Sequence, residues 1–248
     1  MSRWADSARM AVGTLTTVPV PAPRVIDGRV AGGAMVLAPL AAVPLAAAAG
    51  LVVAAGTALH LPSLATAALA LGVVALGSRG LHLDGLADTA DGLGASYDRA
   101  KALDVMRRGD SGPTGVATLV FVLLVQVGAL AQADHPITTV VAAVLIGRCT
   151  LSMSCARGVP SARPEGLGAT VAGSVPRTVA IGIAVAAATA SALIPGTDWW
   201  RGPLAVAIAY ATTAVLLLRC TKRLGGVTGD VLGAGVEVAV AAALLALA

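Results

Sequence analysis

The sequence predicts an all-α, polytopic integral membrane protein, a helical bundle of about seven transmembrane helices. Of its 248 residues, 57% are hydrophobic and only 12% are charged, and the mean hydropathy is +0.86. Soluble domains average about 45–50% apolar and about 25% charged residues, so a lipid bilayer is the expected environment. One Phe and two Tyr are too few for the aromatic girdles of a transmembrane β-barrel. The 29 glycines favour close helix packing instead.

Apolar runs alternate with polar segments along the chain, and we interpret each run as a membrane span. The runs are 30–59, 64–81, 116–133, 137–156, 179–194, 203–218 and 231–248. Pro39 and Pro44 are expected to kink the first run. Residues 3–18 are predicted to form a short interfacial helix ended by the prolines that follow. Residues 99–108 are predicted to form an amphipathic helix.

Basic residues outside the spans are concentrated on one side of the predicted membrane. Fifteen of the 17 Lys and Arg residues lie in the N-terminal segment and in the segments 79–113, 157–178 and 219–230. The opposite turns contain only Arg201. The positive-inside rule therefore predicts a cytoplasmic N-terminus and places the three segments rich in Lys and Arg in the cytoplasm. The net charge of +4 has this origin, and no nucleic-acid partner is expected.

An acidic motif directly follows the second apolar run. Residues 82–92 read His-Leu-Asp-Gly-Leu-Ala-Asp-Thr-Ala-Asp-Gly, and helical spacing would place Asp84, Asp88 and Asp91 on one face. Clustered carboxylates repel one another, and Mg²⁺ is the type of hard cation that oxygen ligands suit. The alternative is an acidic helix start, favoured by the positive end of the helix dipole. His82 would face away from the aspartates, as a ligand, a proton relay or a structural residue.

A second motif, at 225–237, leads into the last span. Its glycines recur every four residues, which predicts a smooth helix face for close packing. Asp230 and Glu237 share a face if the helix is continuous. An ionised Glu237 two turns inside a span is costly unless it is paired. Arg148, in the fourth span, is the basic residue at comparable depth, so the two side chains either pair with each other or contact a substrate.

A third feature is the Gly-Asp-Ser-Gly-Pro-Thr-Gly turn at 109–115, just before the third span. Backbone N–H groups at a helix start can bind phosphate, and arginine, here the nearby Arg107 and Arg108, suits the same anion. The alternative is a turn with no ligand. Aspartates, arginines and glycine-rich turns thus gather at one membrane face. This combination is typical of Mg²⁺-assisted phosphoryl chemistry.

The two strong motifs resemble the signature sequences of the cobalamin synthase family, the adenosylcobinamide-GDP ribazoletransferases. The first is His-x-Asp-Gly-x-Ala-Asp-x-x-Asp-Gly at 82–92, and the second is Gly-x-Thr-Gly-Asp-x-Leu-Gly-Ala-x-x-Glu at 226–237. Segments 19–23, 106–115 and 163–168 are similar to weaker landmarks of that family. The resemblance covers almost the whole chain, with both motifs in the expected order.

The resemblance implies a transferase that joins adenosylcobinamide-GDP to α-ribazole, or to its 5′-phosphate, with Mg²⁺, and releases GMP. It also implies that Asp84, Asp88 and Asp91 hold the metal and the substrate pyrophosphate. The hydroxyl proton of the acceptor would pass to Asp91 or Asp230. The candidate substrate-binding residues are polar or charged: His82, Arg107, Arg108, Ser111, Arg148, Thr228 and Glu237.

The chain departs from the family pattern after Met-Arg, where many relatives have an aspartate-serine pair at once. Here that pair, Asp110 and Ser111, comes two residues later, which leaves Arg108 as the candidate phosphate contact. We interpret residues 1–248 as one membrane-embedded catalytic domain in the cytoplasmic (inner) membrane. Its active site is expected to face the cytoplasm. A homo-oligomer is compatible with these predictions.

Two other classes of protein share parts of this pattern. CDP-alcohol phosphotransferases also use Asp-x-x-Asp-Gly, but their motif continues with Ala-Arg and two further aspartates, which are missing after Gly92. A transporter that couples through intramembrane acids would carry charges near the middle of the membrane. Most acids here lie at one edge, so the sequence favours the cobalamin synthase interpretation.

Overall fold

The protein is described by a computed structural model that covers residues 3–248, all of whose regular elements are helices. The helices are α1 Arg3–Leu15, α2 Gly28–Ala41, α3 Val43–Ala58, α4 Ser63–Gly77, α5 Leu81–Ala95, α6 Arg99–Arg108, α7 Pro113–Gln132, α8 Pro136–Ser154, α9 Leu167–Val171, α10 Arg177–Ser191, α11 Arg201–Leu224 and α12 Gly229–Leu247. The predicted all-α class is confirmed for this part of the chain.

Five helical segments are long and apolar enough to cross a membrane: α2 with α3 as one segment of 31 residues, α7, α8, α11 and α12. Helices α4 and α10 fall on the second and fifth predicted spans, but each has only 15 residues. At 1.5 Å per residue they reach about 22 Å, less than the roughly 30 Å of hydrocarbon. The helical membrane bundle is confirmed, with five full-length spans rather than seven, or six if the bent pair of α4 and α5 counts as one.

Helix α5 does not continue the axis of α4. The two helices meet at 89°, across a corner where Arg79 and Gly80 both adopt positive φ angles of 58° and 69°. A left-handed residue ends a helix because it turns the next N–H away from the ladder. The predicted run 64–81 therefore ends as a helix at Gly77. We treat α5, which turns away from the axis of α4, as lying outside the membrane-spanning segments.

The helix predicted for residues 3–18 is present as α1 and is tied to the same corner. The Arg79 Nη2 atom donates to the carbonyl of Gly13 at 2.5 Å, and the Thr17 N–H donates to the carbonyl of Gly77 at 2.8 Å. The kinks expected in the first span take the form of a break at Ala42, between α2 and α3.

Helix α12 is the centre of the bundle and packs against α5, α7, α8 and α11. Its contact with α5 brings backbone against backbone. A Cβ atom added to Gly85 would lie 2.6 Å from the carbonyl oxygen of Asp230, and one added to Gly233 would lie 3.1 Å from the Cα of His82. The prediction of a close-packing glycine face holds at Gly233. It is wrong at Gly225, which is the left-handed C-cap of α11 (φ 80°) rather than part of α12.

We expect Gly85→Ala to destabilise the protein by about 1–3 kcal/mol, the usual cost of overpacking. The added methyl group would meet the Asp230 backbone, which cannot rotate away as a side chain can. The measurement is the thermal unfolding midpoint in one detergent. Gly72→Ala is the matched control because a Cβ there meets nothing within 4 Å. Equal midpoints for the two variants would contradict the close contact between α5 and α12.

Candidate functional site

Two clefts open on either side of the first turn of α5. The smaller has a volume of about 190 Å³ and is lined by polar side chains from three segments: Asp84, Ser161, Arg163, Glu165, Thr228 and Asp230. The larger has a volume of about 690 Å³ and is lined by the end of α1, the corner before α5 and the start of α7: Gly13, Thr14, Arg79, Leu83, Ser111 and Leu119. Leu81 and Asp84 belong to both clefts. Asp84 thus stands where the two clefts meet.

Asp230 is held at the start of α12 by its neighbours. Thr228 is the N-cap, with its Oγ1 accepting from the Val231 N–H at 3.2 Å and donating to Asp230 Oδ2 at 3.0 Å. The Arg163 guanidinium lies 3.8 Å from the same carboxylate oxygen. Backbone pairing places Arg163 there, because the Ala162 N–H donates to the carbonyl of Val227 at 2.9 Å.

The carboxylates near α5 act on one another electrostatically. Burial, together with the nearby charges of Asp84, Asp230 and Asp91, raises the pKa of Asp88 to about 6, while Arg163 opposes this shift. A raised pKa means that this site penalises a further negative charge. A bound cation would reverse the penalty.

The predicted metal triad is not assembled as a three-ligand site. Within residues 3–248, no group of three His, Cys, Asp or Glu side chains is arranged to hold a metal ion by itself. Mg²⁺ is usually bound in proteins by one or two carboxylates, with waters and substrate phosphates completing its shell. Asp84, Asp88 and Asp230 fit that mode, since they are hard oxygen donors whose mutual repulsion a cation would relieve.

The carboxylate of Asp91 makes two contacts that were not predicted. Its Oδ2 accepts from the N–H of Gly112 at 2.7 Å, and its Oδ1 accepts from the N–H of Gly115 at 2.8 Å. Both oxygens therefore cap the start of α7. The same contacts occupy two N–H groups of the turn at 109–115, which was predicted to bind phosphate.

The predicted arginine contacts near that turn are also placed elsewhere. Arg108 is exposed and donates to Asp104 Oδ2 from both Nε, at 3.2 Å, and Nη2, at 2.6 Å. Arg107 is exposed and lines neither cleft. In contrast, Ser111 lines the larger cleft and Thr228 lines the smaller one. Of these four candidates, Ser111 and Thr228 line a cleft, whereas Arg107 and Arg108 do not.

The remaining candidates, His82, Arg148 and Glu237, are buried inside the bundle and line neither cleft. The Arg148 Nη2 atom lies 3.3 Å from His82 Nδ1. Glu237 Oε2 accepts from Gln126 Nε2 at 2.9 Å. The direct pair of Glu237 with Arg148 is not among the ion pairs within 4.0 Å in the described part of the chain. These three side chains thus make polar contacts in the interior of the bundle, and none of them lines either cleft.

Comparison with known proteins now adds to this geometry. The sequence profile of the family described as cobalamin-5-phosphate synthase matches residues 7–248. The chain belongs to this family. A relative from Nocardioides sp. (strain ATCC BAA-499 / JS614), named adenosylcobinamide-GDP ribazoletransferase, is 48% identical over 244 residues, covering 98% of each chain. One of the same name from Frankia casuarinae is 38% identical over 260 residues, covering 97% of this chain and 94% of its own. No solved structure matches the chain.

As a cobalamin-5-phosphate synthase family member, the protein is a transferase with cobalamin synthase activity. Sequence reasoning missed two arginines of its clefts. Arg163 was noted only as the first residue of a weaker family landmark, 163–168. Arg79 carried no signal beyond its position after an apolar run, because its contact with α1 depends on the fold.

The capping role of Asp91 can be tested in this family member by Asp91→Ala. The change leaves two N–H groups of α7 without their acceptor, at a cost of about 1–3 kcal/mol for each buried group. We expect a clear loss of stability in thermal unfolding, and a smaller loss for Asp91→Asn, which keeps one carbonyl oxygen. Asp98→Ala is the control, because Asp98 caps the exposed α6 through one N–H, that of Lys101.

The opposite pattern would contradict this assignment. If Asp91→Ala unfolds at the wild-type temperature and instead loses its response to Mg²⁺, Asp91 is a metal ligand after all.

Proposed function

We propose that this enzyme carries out the Mg²⁺-dependent joining of adenosylcobinamide-GDP to α-ribazole, or to its 5′-phosphate, with release of GMP. One observation carries the proposal: Asp84 lies at the junction of two clefts, Asp230 and Arg163 line the smaller one, and the charges of all three act on the neighbouring Asp88. A reaction with two substrates needs such a junction, where the two reacting groups can meet. The names of the relatives supply the identity of the donor and of the ribazole group that is transferred.

In the proposed reaction, a ribose hydroxyl oxygen of the ribazole, one that stays free when the 5′ position carries phosphate, attacks the phosphorus atom on the cobinamide side of the pyrophosphate. A new P–O bond forms there, the P–O bond to GMP breaks, and GMP leaves with the bridging oxygen. Asp230 is our candidate for accepting the hydroxyl proton, because Asp91 uses both oxygens for α7. Arg163, 3.8 Å from Asp230, is placed to contact the pyrophosphate.

The proposed metal would be held by Asp84 with Asp88 or Asp230, and by phosphate oxygens. When bound, Mg²⁺ would neutralise negative charge on the pyrophosphate and on the leaving GMP. The volume of the smaller cleft, about 190 Å³, is below the roughly 300 Å³ of small ligand pockets, so it fits only the phosphate part of a nucleotide. The larger cleft, with Leu83 and Leu119 in its wall, suits the bulkier organic part of a substrate.

We further propose that the enzyme is a multi-pass protein of the inner membrane with its site facing the cytoplasm. The support is the charge asymmetry, since both clefts are lined by segments that carry the many basic residues. That face also gives polar nucleotide substrates access without crossing the bilayer.

The test is GMP release by detergent-purified protein supplied with adenosylcobinamide-GDP, α-ribazole and Mg²⁺, with EDTA as a control. We expect release only when all three are present. Asp84→Asn, Asp88→Asn and Asp230→Asn should each lower kcat/KM by about 10²-fold or more, the usual size of a lost acid–base or electrostatic contribution. Asp104→Asn is the matched control, because Asp104 is exposed and pairs with Arg108 outside the clefts.

Near-normal kcat/KM values in Asp84→Asn, Asp88→Asn and Asp230→Asn would contradict the proposed site. Wild-type protein that is folded yet releases no GMP would contradict the proposed reaction. In that event, turnover of CDP-linked alcohols would identify the enzyme as a lipid phosphotransferase.

A further inference from the structure

The bundle interior contains a cationic side chain that the proposed reaction does not use. Arg148 lies on α8, six residues before the end of the helix at Ser154, and only 1% of its surface is exposed. A charged side chain within a span is costly and persists where it has a partner and a task. Its neighbours therefore indicate what it does.

The nearest polar partner of Arg148 is His82 on α5, with Arg148 Nη2 3.3 Å from His82 Nδ1. Arginine has only donors, so Nδ1 must accept and the ring proton must lie on Nε2. His82 is itself buried, with 2% of its surface exposed. The contact thus links the membrane interior to the helix that carries the aspartates.

A carboxylate on a different helix from His82 offsets the positive charge of Arg148. Glu237 on α12 and Gln126 on α7 line a cavity of about 20 Å³ together with Arg148. Arg148 Nη1 has no protein partner, and the cavity is large enough for one water molecule that could join it to the carboxylate. Five helices, α4, α5, α7, α8 and α12, therefore line the cavity beside this guanidinium group.

His82 lies where the backbone of α5 packs closely against α12. A Cβ atom added to Gly233 would lie 3.1 Å from the Cα of His82. Asp84 lies two residues further along α5, at the junction of the clefts. A change in the position of α5 at His82 is therefore expected to move Asp84 as well.

We propose that Arg148 is a positioning residue, which holds the register of α5 through His82 and so places Asp84 and Asp88 for their ligand. Arg148 and His82 line neither cleft, so the effect does not pass through contact with substrate. The kinetic part of this inference rests on the proposed function. Its structural part does not.

The kinetic test compares Arg148→Gln and His82→Leu with the wild type. We expect each variant to lower kcat at least tenfold and to raise the Mg²⁺ concentration for half-maximal rate about tenfold, with the KM for α-ribazole changed less than threefold. His82→Asn keeps an acceptor oxygen near the position of Nδ1 and should stay within threefold of the wild type.

The matched control is Tyr210→Phe. Tyr210 is a partly buried residue whose hydroxyl donates to the carbonyl of Cys149 at 3.0 Å, one residue along α8 from Arg148. This variant should keep the wild-type kcat and Mg²⁺ response within twofold. If Arg148 served general stability alone, Arg148→Gln and His82→Leu would both unfold at a lower temperature. Their response to Mg²⁺ would then match that of the wild type, which would contradict the positioning role.

The structural test uses hydrogen–deuterium exchange of the intact protein in lipid nanodiscs, without substrate or metal. In Arg148→Gln and His82→Leu, the amides of Leu81–Ala95 should exchange at least tenfold faster than in the wild type, while those of Arg177–Ser191 should not change. If Arg148→Gln fails to fold, His82→Leu gives the same comparison with a neutral residue.

Wild-type exchange across α5 in a folded Arg148→Gln or His82→Leu variant would overturn the proposal. Faster exchange across α5, in a protein whose wild type releases no GMP, would uphold the positioning role and refute only the proposed reaction. The two inferences therefore fail separately.

Discussion

Direct backbone contact between α5 and α12 is the constraint on which the site depends. Glycine at position 85 lets the first turns of the two helices approach until a methyl group would collide with Asp230. Because of this approach, Asp84 and Asp230, which belong to distant parts of the sequence, influence the same carboxylate, Asp88. A larger residue in the contact would separate the two halves of the site.

The membrane environment explains how charge is distributed around that contact. Carboxylates and arginines gather at one end of the bundle, where water and polar ligands can reach them. Arg148 and Glu237 lie deeper, and both are enclosed by protein rather than exposed to lipid. Enclosure lets the bundle keep charges that hydrocarbon would reject, and Arg148 contacts His82 on the helix that carries the aspartates.

Asp91 illustrates why spacing along a helix does not decide the role of a side chain. Its sequence spacing from Asp84 and Asp88 is that of a shared helix face, as predicted. What differs is the partner. The two oxygens of Asp91 accept from N–H groups at the start of α7, more than twenty residues further along the chain. Helical periodicity describes one helix, whereas the choice between a metal ligand and a helix cap depends on a second one.

The sequence by itself determined the bilayer environment, the all-α class and the family. Composition sets the solvent that a chain prefers, and the two motifs at 82–92 and 226–237 are local patterns. Tertiary structure alone decided the 89° turn before α5, the capping role of Asp91, and the meeting of Arg163 with Asp230. These features are distances between segments remote in sequence, and such distances are set by how helices pack rather than by the pattern within any one of them.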